Sequence, residues 1–198
     1  MNLADRFTLS RIILAPVFFA VYMLLMRFSE QLVGYTFWVI VSLWVIAIVG
    51  ELTDMFDGMA ARRLKQTSDF GRLFDPFADT LMQLTIFLCF VIDGIFPAIL
   101  FLVVLYREFG ILFLRNLFLK KGITMGARKS GKIKTVAYIT AAVIALFYAS
   151  LNYLSILEMH QNIFKISANV VFCLSVLISV ISFFDYLFQY RLAKDNNP

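Results

Sequence analysis

The stretch DMFDGMAARRLKQTSDFGRLFDPFAD, from Asp54 to Asp79, places acidic side chains at the facing ends of two apolar segments with a short polar turn between them. Charge beside or within a hydrophobic span is costly, and it demands a partner, a metal ion or a water-filled cavity. Here it is concentrated: Glu51, Asp54 and Asp57 close one segment, Asp75 and Asp79 open the next, and Asp69 lies between. If the first segment continues helically to about Leu64 and the second starts near Gly71, the turn centres near residues 66 and 67 and the two helices run antiparallel. Residues equidistant from that centre share a depth, so Asp54 is expected level with Asp79 and Asp57 level with Asp75. The spacings i, i+3 (Asp54, Asp57) and i, i+4 (Asp75, Asp79) keep each pair on one helix face.

The chain outside this hairpin is far too apolar for a soluble domain: 61% of its 198 residues are hydrophobic, 22 are phenylalanine, and the mean hydropathy is +0.84. Apolar runs long enough to cross a bilayer are expected at roughly 8–27, 33–55, 73–92, 95–118, 135–154 and 165–189. The fold class that follows is an all-α integral membrane protein with six transmembrane helices, residues 1–198 forming one domain. The first run reads as a retained helix, because no small-residue cleavage site is followed by a soluble region. Basic residues gather in two connections, Arg62, Arg63, Lys65 and Arg72 in one and Lys120, Lys121, Arg128, Lys129 and Lys132 in the other. By the positive-inside rule these face the cytosol, and with an even number of spans so do both termini, which carry Arg6, Arg191 and Lys194. The connections at 28–32, 93–95 and 155–164 are short and poor in basic residues. The net charge of +5 is thus accounted for by orientation and by anionic lipid head groups, with no nucleic-acid partner. Cys89 and Cys173 sit in apolar runs as small packing residues, and His160 reads as a solvated loop histidine.

Four carboxylates converging at one depth repel one another unless protonated or neutralised by cations. Divalent metal resolves the conflict, and an all-oxygen donor set favours magnesium, manganese or calcium over zinc. Two closely spaced ions would clamp a diphosphate, polarise the attacked phosphorus and stabilise the leaving group, while one carboxylate takes a proton from an attacking hydroxyl. Gly58 and Ala61 keep one helix face small, for a ligand or for a neighbouring helix. Arg62 would balance diphosphate charge or act as an orientation signal. A cation channel or transporter also places acids in a membrane, but there they string across the bilayer, whereas these sit at one cytosolic level.

The residues Asp54, Asp57, Gly58, Ala61, Arg62, Gly71, Asp75 and Asp79 meet every specified position of D-x2-D-G-x2-A-R-x8-G-x3-D-x3-D. The stretch therefore resembles the signature of the CDP-alcohol phosphotransferase family. That resemblance implies a six-helix multi-pass enzyme of the cell membrane, usually a homodimer, with its active site facing the cytosol, in which an alcohol attacks a CMP-activated lipid and CMP leaves. It implies further that Asp54, Asp57, Asp75 and Asp79 hold two magnesium or manganese ions, that Asp79 is the general base, and that Gly58, Ala61, Arg62 and Gly71 line the cytidine diphosphate site. The segments RFTLSRIILAP (Arg6 to Pro16), REFGILFLRN (Arg107 to Asn116) and ARKSGKIKT (Ala127 to Thr135) resemble the bacterial phosphatidylglycerophosphate synthases within the family, although Ala4 and Asp5 stand where those enzymes commonly have Pro-Asn. The substrates so implied are CDP-diacylglycerol and glycerol 3-phosphate, with inositol phosphate, serine, choline or phosphatidylglycerol as other acceptors. A phosphorylated acceptor needs fixed cations, and Arg107, Arg115, Lys132 and Lys134 are the candidates, with orientation and lipid attraction as the other reading of the lysines. Arg107 lies within a span, where pairing with Glu108 or Asp79 is the alternative.

Overall fold

Hydrocarbon offers no water to the backbone, so an apolar run must satisfy its own peptide groups, which a helix does within one segment. The computed structural model describes the backbone of residues 3–29, 31, 34–64, 69–120, 129–156 and 161–195, with side chains except at 3–7, 54–64, 69–73, 119–120, 129–130, 161, 189–190 and 192–195. The described residues form six helices: α1 (Leu3–Phe28), α2 (Thr36–Leu64), α3 (Asp69–Ile92), α4 (Ala98–Lys120), α5 (Lys129–Tyr153) and α6 (Gln161–Asp195). All six expected segments are helical, and α2 runs on to Leu64 as the hairpin reading requires, with α3 resuming at Asp69.

Among the described residues, five helices contain an apolar stretch long enough to cross a bilayer: Thr8–Phe28, Thr36–Thr53, Phe74–Ile92, Gly131–Tyr153 and Asn162–Phe188. The helix outside this set is α4, because every long stretch of it includes Arg107, Glu108 and Arg115. Large apolar side chains point outward, among them Ile13, Trp38, Phe77, Phe113, Val136 and Ile181 on successive helices. An apolar exterior of this extent is a surface that lipid covers.

The chain divides into two compact units, one comprising 1–93 and 149–159 and the other 94–148 and 160–198. In the first unit α1 packs against both α2 and α3. Thr8, Arg11, Ala15, Phe18, Tyr22 and Leu25 are all buried, an alternation of three and four residues that lines one seam along α1. The apolar middle of this seam matches buried Met82, Ile86, Cys89 and Phe90 of α3, and the rings of Tyr22 and Phe90 meet edge to face with centroids 5.7 Å apart. The seam is closed by polar contacts at each end. Tyr22 donates to Asp93 Oδ2 at 2.7 Å, Tyr153 donates to Oδ1 of the same carboxylate at 2.8 Å, and Arg11 meets α3 near its start. The order of these contacts shows that α1 and α3 run parallel.

In the second unit α4 packs on α6. A Cβ at Gly110 would come within 2.9 Å of the Phe183 ring, so glycine there permits the close approach of the two helices. Ile111, Leu114 and Tyr186 form the buried cluster beside it, flanked by Phe183 and Leu187. Phe96 and Phe172 stack with centroids 3.9 Å apart, and Asn169 Nδ2 donates to the Ile95 carbonyl at 2.8 Å, which ties α6 to the turn before α4. Gly94 makes that turn possible with φ of 69°, in the left-handed region that favours glycine.

Tyr22→Phe removes a hydrogen bond to a charged acceptor at the seam while keeping the ring. It is expected to cost about 1.5–3 kcal/mol, read as a fall of several degrees in the thermal unfolding midpoint of the purified protein in detergent.

Candidate active site

Asp75 and Asp79 sit one turn apart on α3, and both carboxylates reach the same guanidinium. Arg11 Nη1 donates to Asp79 Oδ1 and Nη2 donates to Asp75 Oδ1, so the i, i+4 spacing does place the pair on one face. Thr8, one turn before Arg11 on α1, donates to Asp75 Oδ1 at 3.1 Å. The burial is asymmetric. The Arg11 side chain is 2% exposed, whereas those of Asp75 and Asp79 are 41% and 44% exposed. A guanidinium closed off from solvent thus faces two carboxylates that stay open to a solute. Desolvating a lone arginine in this position would be prohibitive, and two anions at its forked end make it tolerable.

This contact was not anticipated from the sequence, although Arg11 lies in the quoted segment RFTLSRIILAP. The signal was a charge inside an apolar span, which requires a partner. The side chains of Asp54, Asp57, Gly58, Ala61, Arg62 and Gly71 lie outside the described residues, as do the turn at 65–68 and His160. Among the expected metal ligands, Asp75 and Asp79 are therefore the two whose surroundings are seen. They present only oxygen donors, held close enough to share one cation, which is the donor chemistry that magnesium or manganese takes.

The second unit holds another charged group. Arg107 and Glu108 of α4 are 6% and 4% exposed. Glu108 Oε1 accepts from Arg107 Nη1 at 2.9 Å and from Lys134 Nζ of α5 at 3.0 Å. Arg107 also donates through Nε to the Ser179 carbonyl at 3.2 Å and through Nη2 to Ser182 Oγ at 3.3 Å, so all three guanidinium nitrogens are engaged. Lys134 lies 4.8 Å from the centroid of the Tyr138 ring, and Tyr138 donates to Ser179 Oγ at 2.5 Å. The structure thus joins Arg107 and Lys134 through one carboxylate, and the alternative pairing of Arg107 with Glu108 is the one observed. Arg115 and Lys132 stand exposed on the same two helices. The serines decide how α6 fits here: Ser175, Ser179 and Ser182 are fully buried, small enough for close packing and able to accept hydrogen bonds.

Residues 1–181 match the family model described as CDP-alcohol phosphatidyltransferase. The chain belongs to this family. It is 35% identical over 193 residues to the CDP-diacylglycerol--glycerol-3-phosphate 3-phosphatidyltransferase of Treponema pallidum (strain Nichols), covering 94% of this chain and 88% of that protein. To the Bacillus subtilis (strain 168) protein of the same name it is 32% identical over 149 residues, covering 74% of this chain and 77% of that one. Family membership decides for an enzyme over a cation transporter, and with five bilayer-length apolar helices the phosphatidyltransferase is a multi-pass membrane protein.

Glu108 neutralises one of two buried cations, so Glu108→Ala leaves like charges together without their shared acceptor. The expected loss is about 3–5 kcal/mol, seen as a lower unfolding midpoint or loss of a monodisperse size-exclusion peak in detergent.

Proposed function

We propose that this chain transfers the phosphatidyl group of CDP-diacylglycerol to glycerol 3-phosphate, giving phosphatidylglycerol phosphate and CMP. The observation that carries the reading is the Asp54–Asp79 signature, whose Asp75 and Asp79 are drawn together on one face of α3, in a chain similar over 94% of its length to a relative of that name. The acceptor hydroxyl forms a new P–O bond to the phosphatidyl phosphorus, the bond from that phosphorus to the CMP oxygen breaks, and Asp79 takes the hydroxyl proton. Asp54, Asp57, Asp75 and Asp79 are the residues that would hold two magnesium or manganese ions. When bound, such ions neutralise the diphosphate and stabilise the departing CMP. Gly58, Ala61 and Gly71 leave room for the cytidine diphosphate and Arg62 balances its charge, while Arg107, Arg115, Lys132 and Lys134 supply positive charge for the acceptor phosphate, exposed Arg115 and Lys132 by contact and Arg107 and Lys134, both held by Glu108, through their field. The open carboxylates of Asp75 and Asp79 support access by solutes.

The same reading takes residues 1–198 as one domain with six spans, α4 included. Paired with Glu108 and hydrogen-bonded to α6, Arg107 is the kind of charge a membrane helix tolerates. Both termini and the site then face the cytosol, where the basic connections lie and where a water-soluble acceptor arrives, and the enzyme acts as a homodimer in the cell membrane.

CMP release by the purified protein, measured with CDP-diacylglycerol and magnesium, manganese or calcium across a panel of acceptors, is expected to be highest with glycerol 3-phosphate. Release with serine, choline or inositol phosphate but not with glycerol 3-phosphate would overturn the acceptor while keeping the reaction class. Asp79→Asn is expected to lower CMP release by about 10²–10⁴-fold while manganese binding persists; undiminished turnover in that variant removes Asp79 as the base.

A further inference from the structure

Arg11 is a buried charge that the proposed reaction does not use. It lies within α1, which places it where the carboxylates of Asp75 and Asp79 both close on it, with Thr8 securing Asp75 from the preceding turn. A guanidinium and a divalent cation answer the same electrostatic need at these oxygens. Each carboxylate meets Arg11 through Oδ1, and each side chain remains about two-fifths exposed, so an arriving ion finds the anions accessible and their charge already partly balanced.

We propose that Arg11 is the resident counter-cation of the α3 aspartate pair: it engages Asp75 and Asp79 when no divalent ion is bound, yields part of that grip when one binds, and so sets the affinity of the site for metal. The inference rests on Asp75 and Asp79 being metal ligands as proposed above. Its physical basis is twofold. A fixed positive charge beside a cation site opposes a second cation, most strongly where little water screens it. The same charge holds the two carboxylates in place after an ion leaves, so the α1–α3 seam does not have to bear two adjacent bare anions.

The test is manganese binding by the full chain in detergent, with no substrate present, followed by the electron paramagnetic resonance signal of free Mn²⁺. Arg11→Gln is expected to bind manganese roughly tenfold more tightly than the unaltered protein. It is also expected to unfold at a lower temperature in chelator, with saturating manganese closing the gap. Arg11→Lys, which keeps the charge but loses the fork, is expected between the two. Equal or weaker manganese binding by a folded Arg11→Gln overturns the proposal. If that variant does not fold even in manganese, Arg11→Lys carries the test, and an affinity no higher than that of the unaltered protein overturns it. If the unaltered protein itself binds no manganese, the metal reading of the aspartates falls and this proposal falls with it. Binding by the unaltered protein without a gain in the variants removes the role of Arg11 alone.

Discussion

The constraint on which this structure depends is that charge inside a bilayer-spanning segment must meet opposite charge. Arg11 illustrates it most sharply. An arginine buried in the first apolar helix is tolerable because two aspartates of the third helix converge on its fork, and those aspartates, which would repel one another alone, are tolerable for the same reason. Asp75 and Asp79 of the signature and the packing of α1 on α3 are therefore one problem with one solution. The seam of α1 has to bring Arg11 to the start of α3, and the tyrosine contacts at Asp93 close that seam at its other end.

The second unit answers the same constraint with a different chemistry. Glu108 is shared by Arg107 and Lys134, and the remaining donors of Arg107 go to a backbone carbonyl and a serine hydroxyl of α6. Arginine suits this place because its donors point in several fixed directions at once. Buried Ser179 and Ser182 of α6 serve in turn both as small contact residues and as acceptors. The charges of Arg107 and Glu108 are thereby bound up within the unit.

Much of this was visible in the residues themselves. Apolar length marked all six helices, and the acidic hairpin marked where α2 ends and α3 begins, since in hydrocarbon a run of that length has few alternatives to a helix. The i, i+4 spacing placed Asp75 and Asp79 on one face, and the adjacency of Arg107 and Glu108 made their pairing a visible alternative. Arg11 was in plain view, but the residues near it in the chain do not say which acids it meets. The acids it serves lie far along the chain, and the three-and-four alternation along α1 identifies a buried face without identifying what buries it. Asp93 was hidden in the same way: next to Gly94 it reads as a turn residue, and nothing local connects it to Tyr22 and Tyr153.

The sequence by itself determined the helices, their order and the chemical type of the acidic cluster, because each of these depends on residues within one segment or one hairpin. Only the tertiary structure decided that Arg11 is the cation at Asp75 and Asp79, that Glu108 unites Arg107 with Lys134, and that a carboxylate at the far end of α3 ties α1 to the end of α5. Partner choice of this kind depends on which helix faces meet. That is settled by the fit of whole seams, with Gly110 admitting Phe183 and Ser179 admitting Arg107, and by no single stretch of chain.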